Sequence, residues 1–186
     1  MLRVVFSLIV GAWGLGALPA HAAIEPALAG QDLLSDRPVV MPLTDAKGAT
    51  VVVFLSSRCP CSMSHEPALR DLHAQFASQG IRFVGVHSNV DETPAESARH
   101  FREARVPFPV LQDEAAQIAN RFGALKTPHV FVWAGGKLVY QGGVDDSRVA
   151  ASAKHHYLRE ALTAIVAGEP PPRGDSRTLG CVIRRP

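Results

Sequence analysis

The chain has 186 residues and a formal net charge of +2, and 47% of its residues are hydrophobic while 19% are charged. This is an ordinary globular composition, and the length fits one domain. The sequence contains neither a basic block nor interleaved aromatic and basic residues, which argues against a nucleic-acid partner.

The first 22 residues have the organisation of an export signal. Arg3 gives a positive start, the apolar stretch VVFSLIVGAWGLGAL follows, and Ala20-His21-Ala22 forms a small-x-small cleavage site. The alternative is a membrane anchor, but the apolar stretch is short for a bilayer span of about 20 residues. We therefore expect a cleaved signal peptide over residues 1–22 and a periplasmic mature protein without a stable membrane span.

The elements that follow the leader begin with strand patterns and pass to a helix. The segment Pro38–Ala49 predicts an early hairpin that turns at Asp45–Gly48. The run TVVVFLSS is rich in β-branched residues without polar alternation, so it predicts a strand buried on both faces. The segment Pro60–Gln79 has helical spacing of its leucines and contains Pro67, which should kink the helix.

The middle of the chain continues this alternation. Ile81–Ser88 predicts a second buried strand. A helix is predicted to begin at Pro94, with Thr93 as its N-cap and Glu96 closing a capping box. The stretch FPVLQD predicts a short strand, and EAAQIANRFG predicts a short helix that ends at its glycine.

The last predicted elements are a hairpin and a helix. HVFVWAGGKLVYQGG predicts a hairpin that turns at Gly135-Gly136. Asp146–Ala167 predicts a final helix carrying His155-His156 as solvated residues, and the prolines after it end the helix. Alternating strands and helices closed by a hairpin predict an α/β domain with a mixed central sheet flanked by helices on both faces.

Three cysteines, Cys59, Cys61 and Cys181, lie after the leader. Export permits disulfides, but an odd count allows at most one intramolecular bridge at a time, which favours redox chemistry over a structural framework. Cys59 lies between a buried strand and a helix N-terminus. Free backbone N–H groups and the helix dipole stabilise a thiolate there, so its pKa should fall below the usual value of about 8.5.

The roles of the other two cysteines stay open on the sequence alone. A Cys59–Cys61 bridge would close a very small and strained ring, so Cys61 is either an oxidising partner, a resting thiol or a small helix residue. Cys181 lies in the tail, more than a dozen residues after the last predicted helix, so it can reach the site. It is either a resolving cysteine, a structural staple or a free thiol.

A metal site is a further alternative near the cysteine pair. Cys59, Cys61, Met63 and His65 offer soft ligands within seven residues that suit Cu(I), and Cys61 and His65 are weak candidate metal ligands. His65 lies four residues after Cys61 and so shares its helix face, where a buried, hydrogen-bonded histidine is an equal alternative. Four well-spaced zinc ligands are not evident.

The order of these motifs resembles the thioredoxin fold, in its redoxin branch of alkyl hydroperoxide reductase and thiol-specific antioxidant (AhpC/TSA) proteins. Cys59 and Pro67 have the separation found in thioredoxins between the nucleophile and a helix-kinking proline. Thr127-Pro128 is similar to the cis-proline loop of that fold. The tail resembles that of bacterial redoxin-like proteins with a terminal Gly-Cys-x-Ile element, and the resemblance spans roughly Thr50–Ile183.

The resemblance implies a thioredoxin-like domain over 23–167 and a tail over 168–186 that carries Cys181. It implies that Thr127, Pro128 and His129 contact the substrate. Ser62 occupies the position of the second thioredoxin cysteine.

The predicted function is that of a periplasmic thiol–disulfide oxidoreductase. Cys59 would be the nucleophile, and Cys61 or Cys181 would resolve the mixed disulfide. No cofactor is expected, and an external thiol or disulfide partner would reset the cycle. The alternatives are a thiol-dependent peroxidase that reduces a small peroxide and a Cu(I) chaperone with a thioredoxin fold.

Overall fold

The computed structural model describes residues 27–44 and 48–186. The predicted signal peptide lies outside the described residues. The strands are β1 (Ala27–Gln31), β2 (Pro38–Pro42), β3 (Ala49–Leu55), β4 (Ile81–His87), β5 (Val110–Gln112), β6 (Lys126–Thr127), β7 (His129–Ala134), β8 (Lys137–Gly142) and β9 (Cys181–Val182). The α-helices are α1 (Pro60–Phe76), α2 (Pro94–Glu103), α3 (Gln117–Phe122) and α4 (Tyr157–Val166).

A mixed sheet of five strands in the order β5-β4-β3-β7-β8 forms the centre of the fold. β3 pairs in parallel with β4 and antiparallel with β7, and β4 pairs in parallel with β5. Every residue of β3 is buried, as its unbroken apolar run predicted for a strand covered on both faces. The predicted α/β class with a mixed central sheet is confirmed.

Alternate residues of β3 point into two separate hydrophobic clusters, one on each face of the sheet. Val51 and Val53 contribute to the cluster that also contains apolar residues of α1, α2 and α4. Val52 and Phe54 contribute to the other cluster, which contains apolar residues of α3 together with Ile183 from the tail. Helices therefore lie on both faces, and the C-terminal tail is part of the second core.

Helix α2 begins as predicted, but its capping box is incomplete. Thr93 is the N-cap, and its side chain accepts a hydrogen bond from the Glu96 N–H at 3.3 Å. The Glu96 carboxylate is bonded to Arg58, at 2.8 Å and 2.6 Å, instead of turning back to the N-cap. A guanidinium within reach is a stronger partner for a carboxylate than a neutral backbone N–H.

The early hairpin differs from the prediction. β2 pairs antiparallel with β1, in a two-stranded sheet separate from the central one, and the turn that joins them lies at Asp32–Arg37. Asp32 stabilises this turn because its carboxylate accepts from the N–H groups of Leu34 and Ser35. The predicted turn at Asp45–Gly48 falls mostly on undescribed residues, and the pairing of β2 with the strand after it was wrong.

The final helix starts later than predicted, at Tyr157 instead of Asp146. The Asp146 carboxylate accepts hydrogen bonds from the N–H groups of Lys154 and His155 at 2.8 Å and 3.1 Å. These bonds close a loop across the segment, since aspartate competes for backbone donors in non-helical conformations. His155 and His156 therefore precede α4 instead of lying on it.

None of the helices in the described part of the chain is long and apolar enough to cross a bilayer.

Candidate active site at the start of helix α1

Cys59 is the N-cap of α1, directly after the buried strand β3. Its sulfur accepts the Ser62 N–H at 3.4 Å, and its own N–H donates to the Ser56 Oγ at 3.0 Å. The side chain is 3% exposed. A sulfur held against free N–H groups at a helix N-terminus is stabilised as a thiolate, which is the reactive form in disulfide exchange.

Cys59 forms a disulfide with Cys181, across 122 positions of sequence and with a Cα–Cα distance of 5.9 Å. The tail reaches the site as strand β9, which pairs antiparallel with β6 so that Cys181 lies opposite Thr127. The Thr127–Pro128 peptide bond is cis, and the Thr127 carbonyl oxygen lies 3.1 Å from the Cys59 sulfur. The disulfide, the cis-proline loop and the tail strand are thus one assembly.

The residues around Cys181 hold the tail through contacts additional to the disulfide. Ile183 is 2% exposed in the second hydrophobic cluster, and its N–H donates to the Leu125 carbonyl at 3.0 Å. The Arg184 N–H donates to the Asn89 Oδ1 at 2.7 Å. Gly180 passes so close to the cis-proline loop that a Cβ at this position would lie 2.1 Å from the Thr127 carbonyl oxygen.

Cys61 is a free, half-buried thiol beside this disulfide. Its sulfur and those of Cys59 and Cys181 all lie within 4.8 Å of one another. The three candidate cysteines are therefore brought together, and the structure bonds Cys59 to Cys181 rather than to Cys61. Residues two apart at a helix start point in different directions, whereas a strand from elsewhere can approach Cys59 directly.

Of the soft ligands predicted from the sequence, Cys59 and Cys61 lie together, but His65 is engaged elsewhere. His65 is 1% exposed, its Nδ1 is 2.6 Å from the Cys61 carbonyl oxygen, and its Nε2 is 3.0 Å from the Asp145 Oδ1. Both ring nitrogens are occupied, so His65 is the hydrogen-bonded buried histidine and not a metal ligand. Met63 is 43% exposed on the helix surface.

A buried carboxylate, Glu92, holds the loop that leads into Cys59. It accepts hydrogen bonds from the Ser56 Oγ at 2.5 Å and from the N–H and Oγ of Ser57 at 2.7 Å and 2.6 Å. The Asn89 Nδ2 donates to it at 2.6 Å. Because Asn89 also accepts from the tail and Ser56 accepts from Cys59, this network connects both partners of the disulfide.

The hydrogen bonds to Glu92 decide its charge state. Burial by itself raises the pKa of Glu92, but the hydrogen bonds from His87, Ser56 and Ser57 outweigh it and lower the pKa to about 2. No local pattern singles out Glu92, because a glutamate in the polar stretch NVDET is typical of an exposed loop. His87 lies at the end of β4, with its Nε2 3.3 Å from the Glu92 Oε2. The sequence gives no pattern that predicts this contact either.

Two polar residues near Cys59 in the sequence, Arg58 and Ser62, are engaged by other groups. Arg58 is occupied with Glu96 and the Asp91 carbonyl. Ser62, at the position of a second thioredoxin cysteine, is fully buried, and its Oγ accepts the Ser56 N–H at 3.1 Å. These contacts make Ser62 a support for the Cys59 loop.

His129 follows the cis-proline loop as the first residue of β7. Its ring packs on Phe131 with centroids 4.5 Å apart, and its Nδ1 accepts the Leu125 N–H at 3.4 Å. Burial, aided by the nearby Lys126 charge, lowers the pKa of His129 to about 4. The imidazole is therefore neutral at physiological pH, and its part in substrate binding stays a prediction.

Comparison with known proteins finds one family model that matches, described as the AhpC/TSA family, over residues 32–142. A search of curated proteins finds no match.

Solved structures show the same fold. An uncharacterised conserved protein from Geobacillus kaustophilus is 27% identical, with a TM-score of 0.79 over 87% of this chain and 89% of its own. A hypothetical protein from Sinorhizobium meliloti 1021 is 26% identical, with a TM-score of 0.77 over 86% of this chain and 91% of its own. The thioredoxin domain of a thiol-disulfide oxidoreductase from Bacteroides vulgatus is 19% identical, with a TM-score of 0.53 over 62% of this chain and 83% of its own, a likeness of fold alone.

Proposed function

This chain belongs to the AhpC/TSA family of thioredoxin-like redoxins, and from that premise we propose that it is an exported thiol–disulfide oxidoreductase whose nucleophile is Cys59 and whose resolving cysteine is Cys181. The observation that carries the proposal is the disulfide between a helix N-cap cysteine and a tail cysteine, formed beside a cis-proline loop. The family membership identifies it as an enzyme that acts on thiols and disulfides and works with thiol partners.

The catalytic cycle starts from the reduced protein. The Cys59 thiolate attacks one sulfur of a substrate disulfide, so that a mixed disulfide forms and the other substrate sulfur leaves as a thiolate. The Cys181 thiolate then attacks the Cys59 sulfur, which releases the second substrate thiolate and leaves the Cys59–Cys181 disulfide. An external dithiol donor restores both thiols with two electrons and two protons.

The geometry supports this assignment of roles. The Ser62 N–H at 3.4 Å stabilises Cys59 both as an attacking thiolate and as a leaving group. The tail keeps Cys181 bonded to Cys59. Cys181 thus takes the part of the second thioredoxin cysteine, whose position on α1 is occupied by Ser62. Cys61 remains a free thiol in this cycle and takes part in neither attack.

Disulfide turnover tests this proposal directly. With a protein disulfide as substrate and a dithiol as reductant, Cys59→Ser should abolish turnover because no nucleophile remains. Cys181→Ser should accumulate a mixed disulfide at Cys59, seen by non-reducing mass spectrometry. Cys61→Ser is the matched control and should keep most of the turnover. Full activity in Cys181→Ser with no trapped species would contradict the assigned resolving role.

Peroxide is a second candidate substrate, favoured by the family and by a resolving cysteine already in contact with Cys59. The Cys59 thiolate would take one peroxide oxygen and become a sulfenic acid, releasing an alcohol or water. Cys181 would condense with the sulfenic acid, giving the same disulfide and one water. Thiol-dependent peroxide consumption that is lost in Cys59→Ser would establish this activity.

The location is proposed on the leader sequence. A mature protein isolated from the periplasm should begin near Ala23, as N-terminal sequencing would show. Export would place the cysteines in a compartment where their disulfide persists.

A further inference from the structure

The sulfur atoms of Cys59, Cys61 and Cys181 form a cluster in which all three lie within 4.8 Å of one another. Thiolate–metal bonds of about 2.3 Å place the three sulfurs of a trigonal centre about 4 Å apart, so a metal site requires that the bonded sulfurs of Cys59 and Cys181 separate on reduction while Cys61 stays beside them. We propose that the reduced protein binds one Cu(I) ion through these three thiolates, two from the start of α1 and one from the tail.

The docked tail makes this site available without the disulfide. Ile183 is buried in the core, its N–H donates to Leu125 O at 3.0 Å, and the Val90 N–H donates to Arg184 O at 3.1 Å. The Asn89 side chain adds a bond to the Arg184 N–H at 2.7 Å. None of these contacts uses a cysteine sulfur, so reduction of the disulfide breaks none of them directly, and a ligand set held in place binds more tightly than a mobile one.

The donor set selects the metal. Three soft thiolates favour Cu(I), whereas a structural zinc site takes four ligands. His65 does not supply a fourth ligand, because both of its nitrogens are occupied by Cys61 O and Asp145. A Cu(I) ion with three thiolates carries a net charge of −2, which the N-terminal N–H groups of α1 offset, including the Ser62 N–H on the Cys59 sulfur.

Copper and the disulfide would compete for the same sulfurs. A dithiol donor first reduces the Cys59–Cys181 bond, with two electrons and two protons entering the protein. Cu(I) then displaces the thiol protons and keeps its oxidation state throughout. The copper-loaded form therefore cannot form the disulfide until the metal leaves.

A competition titration tests the site on the full mature chain. The protein is reduced without oxygen and titrated with Cu(I) in the presence of a chromophoric Cu(I) chelator, with zinc titrated separately. We expect one Cu(I) per chain and affinity weakened by about tenfold or more in each of Cys59→Ser, Cys61→Ser and Cys181→Ser.

Two further variants separate ligand loss from misfolding. Ile183→Ala keeps all three thiols but undocks the tail, and it should weaken copper binding, whereas Val182→Ala, at the neighbouring and 65% exposed position, should match the wild type. Wild-type affinity in Cys181→Ser, a tighter one-to-one complex with zinc, or no copper withheld from the chelator would each overturn the proposal. The titration needs no turnover, so its result is independent of the proposed enzymatic function.

Discussion

Glu92 is the residue that holds the backbone before Cys59 in position, since four hydrogen-bond donors from Ser56, Ser57 and Asn89 converge on its carboxylate. Removing it leaves these buried donors without an acceptor, and each unmade bond costs about 1–3 kcal/mol. We expect Glu92→Ala to lower the free energy of unfolding by about 3 kcal/mol and to slow turnover, measured by urea denaturation and disulfide-reduction assays. Glu103→Gln, at an exposed helix end, is the control.

The lowered pKa of Glu92 also predicts a pH dependence. Because its folded pKa of about 2 lies below the unfolded value, it contributes stability that is present above about pH 4.3 and is lost as the pH falls toward 2. Glu92→Gln should flatten this part of the stability profile. A profile unchanged by the substitution would show that the carboxylate is not held as an anion.

His129 predicts a second pH dependence of folding stability, at higher pH than that of Glu92. Its folded pKa of about 4 lies below the unfolded value of about 6.5, so between these values the unfolded chain binds more protons. Stability should therefore fall as the pH drops from about 6.5 to 4, and His129→Gln should reduce that fall. His156→Gln, at an exposed position, should leave the profile as it is. Thermal unfolding at stepped pH values measures the difference.

At the scale of elements, strand β9 is the feature that a local pattern predicts least well. It has only two residues, Cys181–Val182, and pairs with another strand of two residues, Lys126–Thr127. Its stability comes from the neighbouring Ile183, which fills a place in the core beside the sheet. The element exists because of packing and not because of intrinsic strand propensity.

Truncating Ile183 should therefore release the tail. Ile183→Ala removes buried apolar volume, at a cost of about 2–5 kcal/mol to docking. In the reduced protein we expect faster tryptic cleavage after Arg177 and a longer-lived mixed disulfide during turnover. Val182→Ala should behave as the wild type in both measurements, and equal cleavage rates for the two variants would contradict a tail held by Ile183.

Side-chain hydrogen bonds near the starts of helices explain two differences between the predicted and the observed elements. The segment after Asp146 has helical composition, but one aspartate side chain captures two backbone N–H groups and closes a loop. Similarly, Glu96 is satisfied by Arg58 from another part of the chain. In the first case a side-chain hydrogen bond outweighs a modest helix preference, and in the second a charged partner replaces a capping bond while the helix itself forms as predicted.

At the scale of the whole molecule, the Cys59–Cys181 disulfide joins the start of α1 to the end of the chain and encloses most of the domain. In the chain-entropy model, a closed loop of 122 residues stabilises the folded state by about 5 kcal/mol, and measured bridges contribute about 2–4 kcal/mol. The oxidised domain should therefore be more stable than the reduced one.

Denaturation of the two redox states measures this difference. We expect Cys181→Ser and the reduced wild type to lose about 2–4 kcal/mol of unfolding free energy relative to the oxidised wild type. Cys61→Ser leaves the disulfide in place and should retain the oxidised stability. Equal stability of oxidised and reduced wild type would mean that the tail disulfide does not constrain the unfolded chain.

Local sequence patterns were sufficient to predict the main helices and strands and the position of Cys59 between a buried strand and a helix. The unbroken apolar run before Cys59, the helix after it and the glycine hairpin are properties of neighbouring residues, and the motif order indicated the thioredoxin fold. The choice between Cys61 and Cys181 as partner of Cys59 was decided only by the tertiary structure, because it depends on where Ile183 packs and on which strand β9 pairs with. The burial of Glu92 was decided in the same way, since three of its four donors belong to Ser56 and Ser57, which lie 36 and 35 positions away in sequence. Local patterns carry the periodicity of an element, whereas contacts between distant segments depend on packing that no single stretch of sequence contains.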